Sequence, residues 1–379
     1  MNNRAVIRTA IIAFLVSRAL IFLGLLVVSQ IAFTGRIYSN SAWQTRITLQ
    51  SERIRPELTR MIMVGDAWWY QRIAETGYRA ANDEEKNKRA FFPLYPLLVR
   101  ACRVTGDFAI DGAIVSNLAF LGALIALGLL ALRSGLDADD AERAIFYVAF
   151  FPTSYFFSLP MTESLFLLLS VLSFLSANSD RWWGAGLAGA LAAATRVTGI
   201  LLLPVLLILA WQRHRRLVPG MLWLAAIPIG LGAFMWHLHA VTGDAFAFLH
   251  AQQAWGRTPR AFWQPLVDYL RNWREVGEPW NLLAFNFAVA LLLLVSAALL
   301  LVRRQYALGA YAMLSVLLAL SSGSLQSIGR YAIVVFPLFF WMAISARSTL
   351  VDRLISATLF AGLGWLLALF ALRLDFAMA

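Results

Sequence analysis

The chain has 379 residues, 60% of them hydrophobic and only 14% charged, with a net charge of +11 and a mean hydropathy of +0.68. A soluble domain is nearer half apolar and a quarter charged, so the composition points to an all-α, polytopic membrane protein. The apolar runs are long and continuous, which excludes a transmembrane β-barrel built from short alternating strands.

The positive charge is almost wholly arginine, with Lys86 and Lys88 the only lysines. It suits orientation in a membrane and contact with anionic lipids better than nucleic acid, because no basic run is interleaved with a soluble fold. The single cysteine, Cys102, excludes an internal disulfide and a cysteine-based zinc site.

The first apolar run, 9–32, is too long for a signal-peptide core and lacks a clear cleavage site. It is expected to be a retained span, with Arg4 and Arg8 holding its start in the cytoplasm. Arg18 lies inside it. A charge at that depth snorkels, pairs with a neighbouring helix or meets a substrate.

Residues 34–108 form a first outer loop, polar and aromatic, which suits amphipathic helices lying on the membrane surface. Within it Asp66 stands beside Trp68, Trp69 and Tyr70 and opens a helix-like stretch that ends at Gly77-Tyr78. Asp66 reads either as an N-cap or as a catalytic carboxylate. A charged tip follows at 82–88. Then comes Ala90-Phe91-Phe92-Pro93-Leu94-Tyr95-Pro96, an interfacial turn.

Further spans are expected at 109–132, 143–159, 161–177, 182–194, 197–211 and 217–241. A second outer insert, 243–279, precedes spans at 281–302, 305–320, 331–344 and 354–372. With the first this makes about eleven crossings, those at 143–159, 161–177, 182–194 and 197–211 short, starting inside and finishing outside. Arg133, Arg143, Arg181, Arg213, Arg215, Arg216, Arg303, Arg304, Arg347 and Arg353 all then fall in inner loops, as the positive-inside rule requires.

The remaining candidates fall on the outer face. Glu163 opens the fourth span, where an acid also suits a helix N-terminus. Arg196 and Arg330-Tyr331 sit at breaks between apolar stretches, and guanidinium matches the geometry of a lipid phosphate. Gln253, Trp255 and Arg257 combine hydrogen-bonding groups with an aromatic face, suited either to a sugar or to anchoring at the interface. His237 and His239 are two apart and point to different faces of a helix. There is no HExxH, P-loop or glycine-rich nucleotide fingerprint, so neither a metal site nor a nucleotide site is expected.

Taken together, five stretches resemble the PIG-V family, the GPI mannosyltransferase 2 type with its bacterial homologues. They are Gly65-Asp66-Ala67 with Ile73-Ala74-Glu75-Thr76-Gly77-Tyr78, Ala90-Phe91-Phe92-Pro93 with Tyr95-Pro96, Phe151-Pro152 with Ser154 and then Thr162-Glu163-Ser164-Leu165-Phe166, Thr195-Arg196 with Gly199, and Gly329-Arg330-Tyr331 with Phe336-Pro337. The sequence departs from the family at Gly65, Trp68-Trp69 and Pro160.

The resemblance implies a GT-C fold and an inverting glycosyltransferase in the bacterial cytoplasmic membrane. Its donor would be a polyprenyl-phosphate sugar, usually mannose, and its acceptor a lipid or glycan hydroxyl on the outer face. Asp66 takes the role of catalytic base. Arg330, Arg196 and Tyr331 are expected to hold the donor phosphate, without a divalent metal. Trp69, Tyr78, Glu163, Gln253, Trp255, Arg257 and Arg18 are expected around the substrates. The rival expectations are a lipid or lipid-linked-sugar flippase and a non-catalytic subunit of a glycosylation complex.

Overall fold

Long apolar segments without water at hand satisfy their backbone groups internally, as helices. In the computed structural model every regular element among the described residues is helical. The structure describes residues 3–35, 57–80, 82–216, 218–272 and 282–372; Arg36, Arg46, Arg53, Arg55 and Glu275, with the neighbouring parts of both expected outer segments, lie outside them.

Helix α1 (Asn3–Gly35) is followed by three shorter helices, α2 (Glu57–Ile62), α3 (Asp66–Thr76) and α4 (Leu94–Cys102), and then by α5 (Phe108–Arg133). Next come α6 (Ala138–Phe150), α7 (Glu163–Ala177), α8 (Trp182–Thr195), α9 (Leu202–His214) and α10 (Ile227–Thr242). The short α11 (Ala247–His250) and α12 (Gln264–Asn272) lead to α13 (Leu283–Val302) and α14 (Tyr306–Leu320). The chain closes with α15 (Ile328–Ala332), α16 (Pro337–Ser345) and α17 (Thr349–Ala371).

Among the described residues, six segments are long and apolar enough to cross a membrane: Asn3–Val27, Phe108–Arg133, Val197–His214, Pro219–Thr242, Leu283–Val302 and Thr349–Ala371. Helices α7 and α14 are apolar but shorter.

Two expected spans are broken by proline. The span at 143–159 stops at Phe150, because Phe151 precedes Pro152 and takes an extended ψ of 144°, as the residue before proline must. Its expected second half is a loop with a 3-10 turn at Ser154–Ser158. The span at 331–344 is two pieces, α15 and α16, with Pro337 opening the second. Both breaks border the candidate site.

α5 packs alongside α7 in the same direction, with Ser116 near the start of α7 and Arg133 near its end, α7 packs on α8 and α13 on α14 as antiparallel neighbours, and α1 lies against α5, α6 and α17. Small residues let α8 approach the 219–242 segment closely. A Cβ on Gly186 would stand 2.0 Å from the Trp223 carbonyl oxygen, and one on Gly230 would stand 1.9 Å from that of Ala190. Such seams hold helices together where lipid supplies no hydrophobic drive.

The turns alternate between two ends of the bundle. Arg213 pairs with Asp180 at 2.9 Å, Arg133 donates to Ser179, and Gln212 donates to the Arg304 carbonyl at 3.2 Å. At the same end, just past the α5–α6 turn, buried Asp140 accepts from Arg143 at 2.5 Å and from Arg347 at 2.6 Å. These contacts gather the turns around 133–143, 180, 213, 304 and 347 at one arginine-rich end. The start of α7, the end of α8 and helix α15 meet at the other.

Candidate active site

Helix α3 carries Asp66 as its first residue, after Gly65, and stops at Gly77, whose φ of 65° suits glycine. Its inner face, Ala67, Tyr70, Ile73 and Ala74, is buried. The Tyr70 hydroxyl lies 3.3 Å from that of Thr162, the residue before Glu163, and its ring meets Tyr95 and Phe91 edge-on. This docking sets Asp66 above the start of α7.

The N-cap of this helix is Gly65, not Asp66; the Asp66 carboxylate faces Arg330, with Oδ2 2.5 Å from Nη1. Arg330 Nε donates to Glu163 Oε1 at 2.6 Å, and Arg196 Nη2 donates to the same oxygen at 3.2 Å. Four residues that share only an outer-face location in the sequence thus form one chain of charge, Asp66–Arg330–Glu163–Arg196. Glu163 is fully buried and Arg330 is 2% exposed, while the Asp66 side chain remains 20% exposed.

The position of Arg330 depends on its neighbour. Gly329 donates its N–H to Asn286 Oδ1 at 2.8 Å, and its carbonyl accepts from Thr153 Oγ1 at 2.8 Å. A Cβ on Gly329 would fall 2.3 Å from the Phe285 ring. The short helix therefore enters the core only because both peptide groups of Gly329 have side-chain partners and no side chain of its own is in the way. The Arg330 guanidinium lies over the Phe156 ring at 5.0 Å.

Around the chain of charge stands an aromatic wall. Trp69 stacks on Phe91 with centroids 6.1 Å apart, and Trp255 meets both edge-on at 6.2 and 5.5 Å. The Tyr331 ring lies between Arg196 and Arg257, whose guanidinium carbons are 5.3 and 5.8 Å from its centroid. Arg257 donates to the Tyr331 hydroxyl at 2.6 Å and to Gln252 at 2.8 Å, tying the second insert to α15.

The two arginines and two carboxylates of the chain balance, and Arg257, across the Tyr331 ring, adds one positive charge beside it. Arg196 Nη1, Arg330 Nη2 and Glu163 Oε2 are buried and have no hydrogen-bond partner among the described residues.

Three expected substrate contacts are turned elsewhere. Glu163 has no exposed surface; it is the counter-ion that holds two arginines together. The Tyr78 hydroxyl donates to the Phe91 carbonyl at 2.7 Å, and its ring packs on Phe234 and His237. Arg18 uses all five N–H groups, on Ser17, on the Ser154 carbonyl and hydroxyl, on Ser158 and on the Ala149 carbonyl, with Phe120 under its guanidinium at 4.6 Å. It is a fastener between α1 and the 149–158 loop. Gln253 is exposed at the rim, beside the wall that holds Trp255.

Asn286, Thr153, Thr162 and Tyr70 were not singled out by the sequence reading. The lone asparagine near the start of the apolar run Leu283–Val302 is the one signal that pointed to such a role. Comparison of the chain with protein-family models, with curated proteins and with solved structures finds no match.

Proposed function

We propose that the chain is a GT-C-type glycosyltransferase of the bacterial cytoplasmic membrane. It would cross about eleven times, a count that takes the shorter helices as membrane-embedded beside the long ones, with the arginine-rich end inside. The donor is a polyprenyl-phosphate sugar, by resemblance mannose, and the acceptor is a hydroxyl on the outer face.

The observation that carries this reading is the chain of charge beneath a part-exposed carboxylate. It has a further cation beside it in Arg257, guanidinium nitrogens on Arg196 and Arg330 without a partner among the described residues, and an adjoining wall of Trp69, Phe91 and Trp255. Buried N–H groups call for an acceptor, and phosphate oxygens suit paired guanidinium groups.

Transfer is a single displacement. The acceptor oxygen attacks C1 of the sugar and Asp66 takes its proton. The C1–oxygen bond to phosphate breaks, and the polyprenyl phosphate leaves with both bonding electrons. Arg330 and Arg196 stabilise that charge where water is scarce. Asp66 is held by Arg330 in the structure, so the donor phosphate must draw Arg330 toward itself before Asp66 can work as a base.

The test is a reconstituted assay with the purified protein, polyprenyl-phosphate mannose and a panel of lipid and glycan acceptors. Transfer by the wild type, lost in Asp66→Asn with donor binding retained, is the expected result. Transfer retained in that variant removes the base assignment. No transfer to any acceptor moves the reading to a flippase or a non-catalytic subunit.

A further inference from the structure

At the arginine-rich end, far from the Asp66 cluster, an open groove of about 650 Å³ runs between α9 and α14. Its apolar wall is Leu207, Ile208 and Trp211, and its rim is Arg215, Arg304 and Tyr306. Leu207 is 41%, Trp211 55% and Tyr306 46% exposed, so the groove presents apolar surface to its surroundings.

Nearby Arg213 has a carboxylate, Asp180, at 2.9 Å. Among the described residues Arg215 and Arg304 meet none. Both adopt the left-handed conformation, with φ of 54° and 61°, at the ends of α9 and α13. Gln212 fixes their spacing, donating to the Arg304 carbonyl at 3.2 Å and accepting from the Ala307 N–H at 3.3 Å.

We propose that this groove binds one anionic phospholipid, with its phosphate between Arg215 and Arg304 and an acyl chain along Leu207 and Ile208. Three features select this occupant. The two guanidinium groups supply charge that nothing else in the groove neutralises. Trp211 and Tyr306 are the side chains that settle at headgroup depth. The apolar wall continues from the charged rim along α9, which a free anion would not use. Basic pockets between helices at a membrane face are suited to such headgroups. The site is independent of the glycosyltransferase reading.

The experiment is native mass spectrometry of the purified full chain with phosphatidylglycerol or with phosphatidylcholine of the same acyl chains. The wild type is expected to hold one phosphatidylglycerol about 30-fold more tightly than phosphatidylcholine, the factor for two arginines near an anionic headgroup. The double variant Arg215→Gln/Arg304→Gln should lose that preference. Arg303→Gln, an equal charge change per site outside the groove, should keep it.

A measurement on the unaltered protein guards against misfolding of the double variant. Phosphatidylglycerol with brominated chains should quench Trp211, read as the difference between wild type and Trp211→Phe. Equal affinity for the two lipids, a matching loss in Arg303→Gln, or no quenching of Trp211 overturns the proposal. So does displacement of the lipid by inorganic phosphate at constant ionic strength, which would mark a simple anion site.

Discussion

Replacing Glu163 by glutamine removes a charge and almost no volume, and isolates the electrostatic part of the buried cluster. Its Oε1 accepts from Arg330 Nε at 2.6 Å and Arg196 Nη2 at 3.2 Å. Two unit charges about 4 Å apart attract by about 4 kcal/mol at an effective dielectric of about 20, before desolvation is counted. Removing one partner of a buried pair costs about 3–5 kcal/mol, mostly through the charge left behind. Arg330 retains Asp66 at 2.5 Å. The stranded group is therefore Arg196, whose side chain is 16% exposed and regains some hydration.

The expected loss in Glu163→Gln is therefore at the low end, about 3 kcal/mol, read by equilibrium unfolding in mixed micelles. Adding Arg196→Gln removes the stranded cation, so the double variant should be more stable than the sum of the singles by about 1–3 kcal/mol. Strict additivity, or a cost in Glu163→Gln below about 1 kcal/mol, would refute the view that Glu163 is the hub of the cluster.

Asn286→Leu leaves the Gly329 N–H buried without its acceptor and should cost about 1–3 kcal/mol. Because Arg330 follows Gly329 directly, transfer should fall more than stability accounts for, and normal transfer in this variant would show that Arg330 does not depend on that bond. Gly329→Ala places a methyl group 2.3 Å from the Phe285 ring and should destabilise by about 1–3 kcal/mol through overpacking; Phe285→Leu should relieve part of that loss, and no relief would count against the clash. Asp244 is held below the usual aspartate range, first by a hydrogen bond from His250 and then by the Phe246 N–H. A lowered folded value means its contribution is complete above the ordinary pKa of about 3.9 and fades as pH falls through the folded value. Proteolytic protection of the 244–250 turn should hold from pH 7 to 5 and decline toward pH 3, and a decline already complete at pH 5 would assign it to another group.

The helix of Asp66 was legible because its ends are chemical: an acid after Gly65 and a glycine at Gly77, where φ is 65°. The broken helix around Arg330 was half legible. Its Ser/Gly-rich approach marks a break, but Pro337, which opens α16, lies in a run that stays apolar on both sides. The same holds at Pro152. Hydropathy responds to side chains and is blind to a proline's effect on the residue before it.

Donor occupancy is the other thing a linear reading misses. Glu163 and Arg18 are both charges in apolar surroundings, and nothing local tells an open group from one already satisfied. Their partners are distant in sequence, Glu163 to Arg330 and Arg18 to Ser154, and only the packing of α1, α7 and α15 brings them together.

The five bonds of Arg18 set a limit on how this molecule can move. Rotating α1 about its axis, or sliding it by one residue (about 1.5 Å of rise), breaks bonds to Ser154, Ser158 and the Ala149 carbonyl together. α1 and the 149–158 loop must then travel as one rigid body, which carries Phe156, the ring beneath Arg330, with it. Any opening between the two ends of the bundle has to be found elsewhere. The second insert is attached at scattered points instead: Arg257 to the Tyr331 hydroxyl, Trp255 edge-on to Trp69 and Phe91, Phe248 to Phe92, and the Arg260 N–H to the Ser321 carbonyl at 3.0 Å.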